Sequence, residues 1–161
     1  MDKETGVTIS GTVEDVIFFN EDNGYIVVDL DCGGELVTAV GNLGDVREGE
    51  NLTLLGEYVN TQKYGRQFKA EVCERSLPSS QSAVRKFLGS GVITGVGPAM
   101  AKRIVTAFGD KTLEIIENDP AQLSGIKGIS TESALKMGEE FRRITGLRKA
   151  VTYFAKYGLS P

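Results

Sequence analysis

The stretch Ile93-Thr94-Gly95-Val96-Gly97-Pro98-Ala99-Met100-Ala101-Lys102-Arg103-Ile104 has the residue types of an anion site. Two glycines one residue apart permit a tight turn and leave no side chain over the loop. Pro98 then opens a helix, where its missing N–H costs no hydrogen bond and its fixed backbone angle suits the first turn. Amides at such a turn and helix start face outward unpaired, and the helix dipole is positive there. A phosphate fits that arrangement. Gly95, Val96, Gly97 and Ala99 would offer backbone. Lys102 and Arg103 follow within about one helical turn.

The pattern returns at Ile126-Lys127-Gly128-Ile129-Ser130-Thr131-Glu132-Ser133-Ala134-Leu135-Lys136-Met137, offset by 33 residues. At that offset Ile93 meets Ile126, Gly95 meets Gly128, Ala101 meets Ala134 and Phe108 meets Phe141. One Gly-x-Gly turn is weak evidence, but an internal repeat in register is not. The second copy would contribute Lys127, Gly128, Ser130 and Thr131.

These residues resemble the tandem helix-hairpin-helix motif of DNA-binding proteins. There the hairpin reads hydrophobic-x-Gly-hydrophobic-Gly, with a small Ala four residues after the second Gly. Ile93, Gly95, Val96, Gly97 and Ala101 fit in full. The second copy departs at Ser130, where Gly is expected, and at Leu135, which stands opposite Lys102. The first hairpin is therefore expected to hold phosphate more strongly than the second.

The positioning elements follow from the rest of the chain. From Val7 the pattern is β, through Val13 and Val16-Ile17-Phe18-Phe19. Asn23-Gly24 is a hairpin signal, and Tyr25 to Leu30 pairs back. Cys32-Gly33-Gly34-Glu35 turns into a third strand, Leu36 to Val40. Leu52 to Tyr58 and Gln67 to Glu74 make a fourth and fifth. Five short strands with close turns predict a small closed barrel of the OB type, with a five-stranded SH3-like barrel as the alternative. The loop before the fifth strand carries Lys63, Tyr64, Arg66, Phe68 and Lys69. Aromatic and basic residues interleaved in this way suit base stacking and phosphate contact on a single strand; the plainer reading has Tyr64 and Phe68 capping the barrel core. Leu77-Pro78-Ser79-Ser80-Gln81-Ser82 marks a boundary, and Ser82 is placed to cap a helix from Ala83 to Leu88. Helices are expected over Pro98 to Phe108, Thr112 to Asn118, Thr131 to Ile144 and Leu147 to Tyr157. Ala101, Ile104, Val105 and Phe108 keep helical spacing and belong to the core. Arg142, Arg143, Arg148 and Lys149 form a basic cluster that serves either DNA or the neighbouring Glu139 and Glu140. The fold class is α+β in two domains: an N-terminal OB-like barrel over 1–76, a linker over 77–82 and an all-α tandem helix-hairpin-helix bundle over 83–161.

Composition removes several kinds of chemistry. With no histidine among 161 residues, this segment has no histidine general base and lacks most zinc sites. Cys32 and Cys73 make neither a metal spacing nor a disulfide framework. No apolar run approaches the ~20 residues of a membrane span and no signal peptide begins the chain, so a cytoplasmic protein is expected, without membrane partners. Net charge is −4 but uneven: residues 1–78 hold 15 acids and 6 bases, residues 79–161 hold 7 acids and 12 bases. The asymmetry puts a nucleic-acid contact in the second half.

A second resemblance spans nearly the whole chain. Ile9-Ser10-Gly11-Thr12-Val13-Glu14, Asn23-Gly24-Tyr25, Val40-Gly41-Asn42-Leu43, Gly56-Glu57-Tyr58-Val59-Asn60, Lys63-Tyr64-Gly65-Arg66-Gln67-Phe68 and Tyr157-Gly158-Leu159-Ser160-Pro161 are similar to the N-terminal region of a long-form RecD-like superfamily 1 DNA helicase. The resemblance implies a parent enzyme that hydrolyses ATP with Mg²⁺ and unwinds DNA 5′-to-3′. It also implies that this segment is non-catalytic and works beside the motor domains of the same chain. A Gly-x-x-x-x-Gly-Lys-Ser/Thr phosphate loop is missing from these 161 residues. Gly158-Leu159-Ser160-Pro161 echoes Gly95-Val96-Gly97-Pro98, so the sequence reads as a fragment that stops at a third hairpin. Two other readings fit the residues. One is a RuvA-like junction-binding protein without enzymatic activity. The other is a protein-interaction module, with a partner on the acidic barrel.

Overall fold

The computed structural model describes residues 6–157, with side chains described through Gly146. The chain divides at Leu77 and Pro78 into a barrel and a helical unit that reaches Ala150.

Five strands form the barrel: β1 (Val7–Phe19), β2 (Tyr25–Cys32), β3 (Glu35–Asn42), β4 (Asn51–Thr61) and β5 (Gly65–Ser76). They close in the order β1-β2-β3-β5-β4. The β3–β5 pair is parallel, with Ala39 beside Phe68 and Val40 beside Lys69. This Greek-key closure is that of an OB barrel, which disposes of the SH3-like alternative. Alternation builds the core: Ile26, Val28 and Leu30 point inward with Val13, Leu52, Leu54 and Phe68, all buried. Leu43 and Val46, from the β3–β4 connection, join the same core. Two register shifts in β1, between Val13 and Asp15 and between Val16 and Phe18, are bulges. A bulge bends its strand and re-aims its side chains, and here Ile17 and Phe18 end up exposed.

The β3–β4 connection is fastened by a buried ion pair. Arg75 donates from Nε to Glu50 Oε1 and from Nη2 to Glu50 Oε2, each at 3.0 Å. Glu50 also accepts the Arg47 amide at 2.6 Å, and Arg75 Nη1 reaches Asp45 at 3.4 Å. Burial opposes the Arg75 charge, but the hydrogen bonds and charge of Glu50, with Asp45 beyond, more than reverse this and hold the guanidinium above its ordinary value.

The helices are α1 (Gln81–Phe87), α2 (Pro98–Phe108), α3 (Thr112–Asn118) and α4 (Thr131–Tyr157), the helical unit taking α4 as far as Ala150. Two sequence expectations change here. The cap of α1 is Ser80 rather than Ser82: its Oγ accepts the Ala83 amide at 3.1 Å. And α4 is one helix, running through Gly146 where two were expected. A glycine in a helix interior costs about 1 kcal/mol but does not by itself end it. A π turn over Leu88–Val92 extends α1, and 3-10 turns at Gly109–Lys111 and Pro120–Gly125 flank α3. Phe87, Leu88, Ile104, Leu123 and Phe141 fill the core. The repeat is visible in it, since Ala101 and Ala134 are both fully buried, whereas Phe108 is only half-buried against its counterpart Phe141. Gly138 lets α4 approach the turn after α3, because a Cβ there would sit 2.6 Å from Pro120 Cγ.

Candidate nucleic-acid interface

The two hairpins share one hydrogen-bond pattern. In the first, the Val96 amide donates to Ile93 O at 3.2 Å and the Ala101 amide to Gly97 O at 2.9 Å. In the second, Ile129 donates to Ile126 O at 3.1 Å and Ala134 to Ser130 O at 2.9 Å. Every donor and acceptor recurs at the sequence offset of 33. Gly95 and Gly128 take the same role, with φ of +87° and +98°. Only glycine enters that region without strain, which is why this position repeats as Gly.

The second glycine of the motif is different. Gly97 precedes α2 in extended backbone, φ −104°, and Ser130 occupies the equivalent place. Nothing lies within 4 Å of a Cβ built on Gly97. Ser130 Oγ accepts the Ser133 amide at 3.1 Å and so caps its own helix. Gly97 has no side chain to do so, and α2 starts without a side-chain cap. Gly95, Gly97 and Ala99 are exposed, as are Lys127, Gly128, Ser130 and Thr131. Val96 departs from expectation, because its side chain is buried and its amide is committed to Ile93 O. The donors left at the first hairpin are those of the α2 start, about Ala99 and Met100.

Each hairpin is touched by the helix that follows the other. Glu140 on α4 accepts both the Thr94 amide, at 3.0 Å, and the Thr94 hydroxyl, at 3.1 Å. Arg103 on α2 donates to Lys127 O at 3.5 Å. Arg103, expected beside Lys102 as a phosphate ligand, thus leans toward the second hairpin, while Lys102 is exposed and without an ion-pair partner among the described residues. Between the hairpins runs a groove of about 640 Å³ lined by Thr94, Gly95, Gly128, Lys136, Glu140 and Arg143, among others. Arg142 is occupied elsewhere, donating to Glu117 O at the end of α3 at 2.8 Å. The side chains of Arg148 and Lys149, and the Gly158–Pro161 echo, lie outside the described residues. Thr94 and Glu140 escaped the sequence reading, since nothing in the local pattern links residues 46 apart.

On the barrel the expected loop residues part company. Phe68 is 0% exposed and packs edge-on against Tyr58, with ring centroids 5.1 Å apart. It is a core residue and cannot stack on a base, which corrects its assignment to strand binding. The Arg66 guanidinium lies 3.9 Å above the Tyr58 ring. Tyr64 is 65% exposed, with Lys63 Nζ 5.3 Å from its ring centre, and Lys69 is exposed. Tyr64 faces a cleft shared with Phe18 and Tyr25, which no loop motif announced.

Among the described residues no group of three His, Cys, Asp or Glu is placed to hold a metal ion. Burial raises both thiols, that of Cys73 to about 12, so neither is poised as a nucleophile at neutral pH. No described helix is long and apolar enough to cross a membrane.

Residues 6–78 match the family described as the OB-fold domain of the ATP-dependent DNA helicase YrrC. Residues 88–143 match the SAM-like helix-hairpin-helix tandem. Both kinds of domain point to nucleic-acid binding. With a helicase-type OB-fold domain followed by a helix-hairpin-helix tandem, the chain fits an N-terminal helicase segment.

Proposed function

We propose that this chain is the non-catalytic DNA-holding segment of a 5′-to-3′ DNA helicase. Its hairpins grip the sugar-phosphate backbone without reading bases. The observation that carries the reading is the uncapped, exposed start of α2 behind Gly95 and Gly97. Amides of Ala99 and Met100, with Lys102 beside them, supply donors and charge for a phosphate. The second hairpin gives a weaker contact, because Ser130 Oγ accepts the Ser133 amide and so takes one helix-start donor away from a phosphate. Arg103 ties the second hairpin to the first. Phosphate contacts position a protein on DNA and carry no sequence information. Repair and recombination are the processes such an enzyme would serve, in the cytoplasm.

ATP and Mg²⁺ belong, on this reading, to motor domains of the same protein and not to these residues. Binding of this chain to labelled single-stranded and forked DNA should weaken linearly in log salt, with a slope of about −0.7 to −0.9 per phosphate neutralised. Scrambling the DNA sequence should leave affinity unchanged. When joined to its motor, the protein should unwind a duplex with a 5′ tail and spare one with a 3′ tail. Salt-insensitive or sequence-selective binding contradicts the backbone grip, and the opposite tail preference contradicts the polarity.

A further inference from the structure

The barrel carries a cleft of about 610 Å³ that the hairpins do not use. Its walls are Ile17, Phe18, Tyr25 and Tyr64, all well exposed. The Phe18 and Tyr25 rings stand 6.4 Å apart at 58°. Its polar fittings are Asp29, Thr38 and Gln67, with Thr38 Oγ1 donating to Asp29 at 2.8 Å.

A cleft for single-stranded nucleic acid pairs stacking rings with a positively charged groove. This one has the rings, but Asp29 is the one charged residue lining it among the described residues. Asp15 stands directly across β1–β2 from Asp29. Like charges opposite each other destabilise a sheet, and a cation brought by a ligand would relieve that repulsion. Asp31 follows two residues along the same face. The surrounding half of the chain is strongly acidic, with 15 acids to 6 bases. Beside the cleft β3 also has an open flank. It pairs with β5 only at Ala39 and Val40 among the described residues, so Glu35–Thr38 have a strand neighbour, β2, on one side.

We infer that this face docks an extended peptide of a partner protein, with an aromatic or aliphatic side chain seated among Phe18, Tyr25 and Tyr64 and a Lys or Arg beside Asp29 and Asp15. Strand addition at a sheet edge with a pocket for alternate side chains is a recurrent way to bind peptides. Binding hot spots are enriched in Trp, Tyr and Arg, and Tyr25 and Tyr64 are of that kind.

The test uses the whole chain labelled for amide NMR. Three probes are titrated: a decapeptide alternating Lys with Phe and Leu, the same peptide with Glu in place of Lys, and an oligothymidylate. The lysine peptide should shift the amides of Tyr25, Val27 and Thr38. Its affinity should fall by about tenfold in Phe18→Ala, and also fall in Asp29→Asn. Phe18 is exposed and Asp29 is half-buried, so the folded spectrum of each variant is checked first, and Tyr64→Ala serves where either one loses it. The glutamate peptide should leave the cleft unmoved. Shifts scattered over the acidic surface and indifferent to Phe18→Ala or Tyr64→Ala overturn the inference. So does preferential filling of the cleft by oligothymidylate, which would make it a nucleic-acid site.

Discussion

Glu140 holds Thr94 by two hydrogen bonds, one from its amide and one from its hydroxyl, across 46 residues of chain. The contact ties the first hairpin to the helix that follows the second. Arg103 returns the favour at Lys127 O. The Glu140–Thr94 pair is the firm link between the hairpins, and the Arg103 contact, at 3.5 Å, is the weaker one. Glu140→Ala should cost about 1–2 kcal/mol of stability, at the lower end because Thr94 is exposed. Urea denaturation of the chain measures it. DNA affinity should fall beyond what the lost stability explains, as the hairpins would no longer present phosphate donors at a fixed separation.

The two glycines of the first hairpin should respond in opposite ways. Gly95 sits at φ +87° with open space around it, so Gly95→Ala should cost about 1–2 kcal/mol from backbone strain alone. Gly97 is in extended backbone with nothing within 4 Å of a new Cβ, so Gly97→Ala should change stability by less than about 0.5 kcal/mol. Its methyl would nonetheless stand where phosphate approaches. Thermal melts and DNA titrations of the two variants separate a folding role from a binding role.

Arg75→Met should destabilise the barrel by about 3–5 kcal/mol, because it strands the buried Glu50 carboxylate. The double variant Arg75→Met, Glu50→Gln should recover part of the loss, since a neutral amide is easier to bury. Unfolding midpoints of the three proteins decide this. Equal loss in the single and double variants would show that the ion pair is not what fastens the β3–β4 connection.

Cys73 gives the barrel an alkaline limit. Burial is the main cause that lifts its thiol to about 12, with the Arg75 charge pulling the other way. The folded state therefore keeps a proton that the unfolded chain gives up. The contribution is complete below the ordinary thiol value and is lost as pH rises toward about 12, by up to ~1.4 kcal/mol per unit. Between about pH 9 and pH 11 the wild type should lose stability more steeply than Cys73→Val. Parallel pH profiles would count against this origin.

What the sequence disclosed depended on the range of the interaction. Local signals were legible: Asn23-Gly24 announced a turn, Tyr25 to Leu30 announced the strand that pairs back, and the 33-residue repeat announced two hairpins, which prove to have matching hydrogen bonds. Interactions set by tertiary pairing were not. Nothing near Glu50 predicts Arg75, and nothing near Thr94 predicts Glu140. Phe68 sits among Lys63, Arg66 and Lys69, a setting that leaves base stacking and core capping equally open, and strand alternation decides for the core by turning it inward against Tyr58. Phe18 belongs to a stretch legible only as β, and the bulge that leaves its ring exposed carries no local signal.

The claim that the first hairpin is a phosphate clamp is tested most directly by a salt titration of DNA binding. It compares the wild type with a Gly97→Glu, Lys102→Glu variant, whose new carboxylates sit on exposed positions and should leave the fold intact. The account predicts salt-sensitive binding by the wild type and its loss in the variant, with unchanged circular dichroism. Equal binding by both proteins, with the same salt slope, would contradict it.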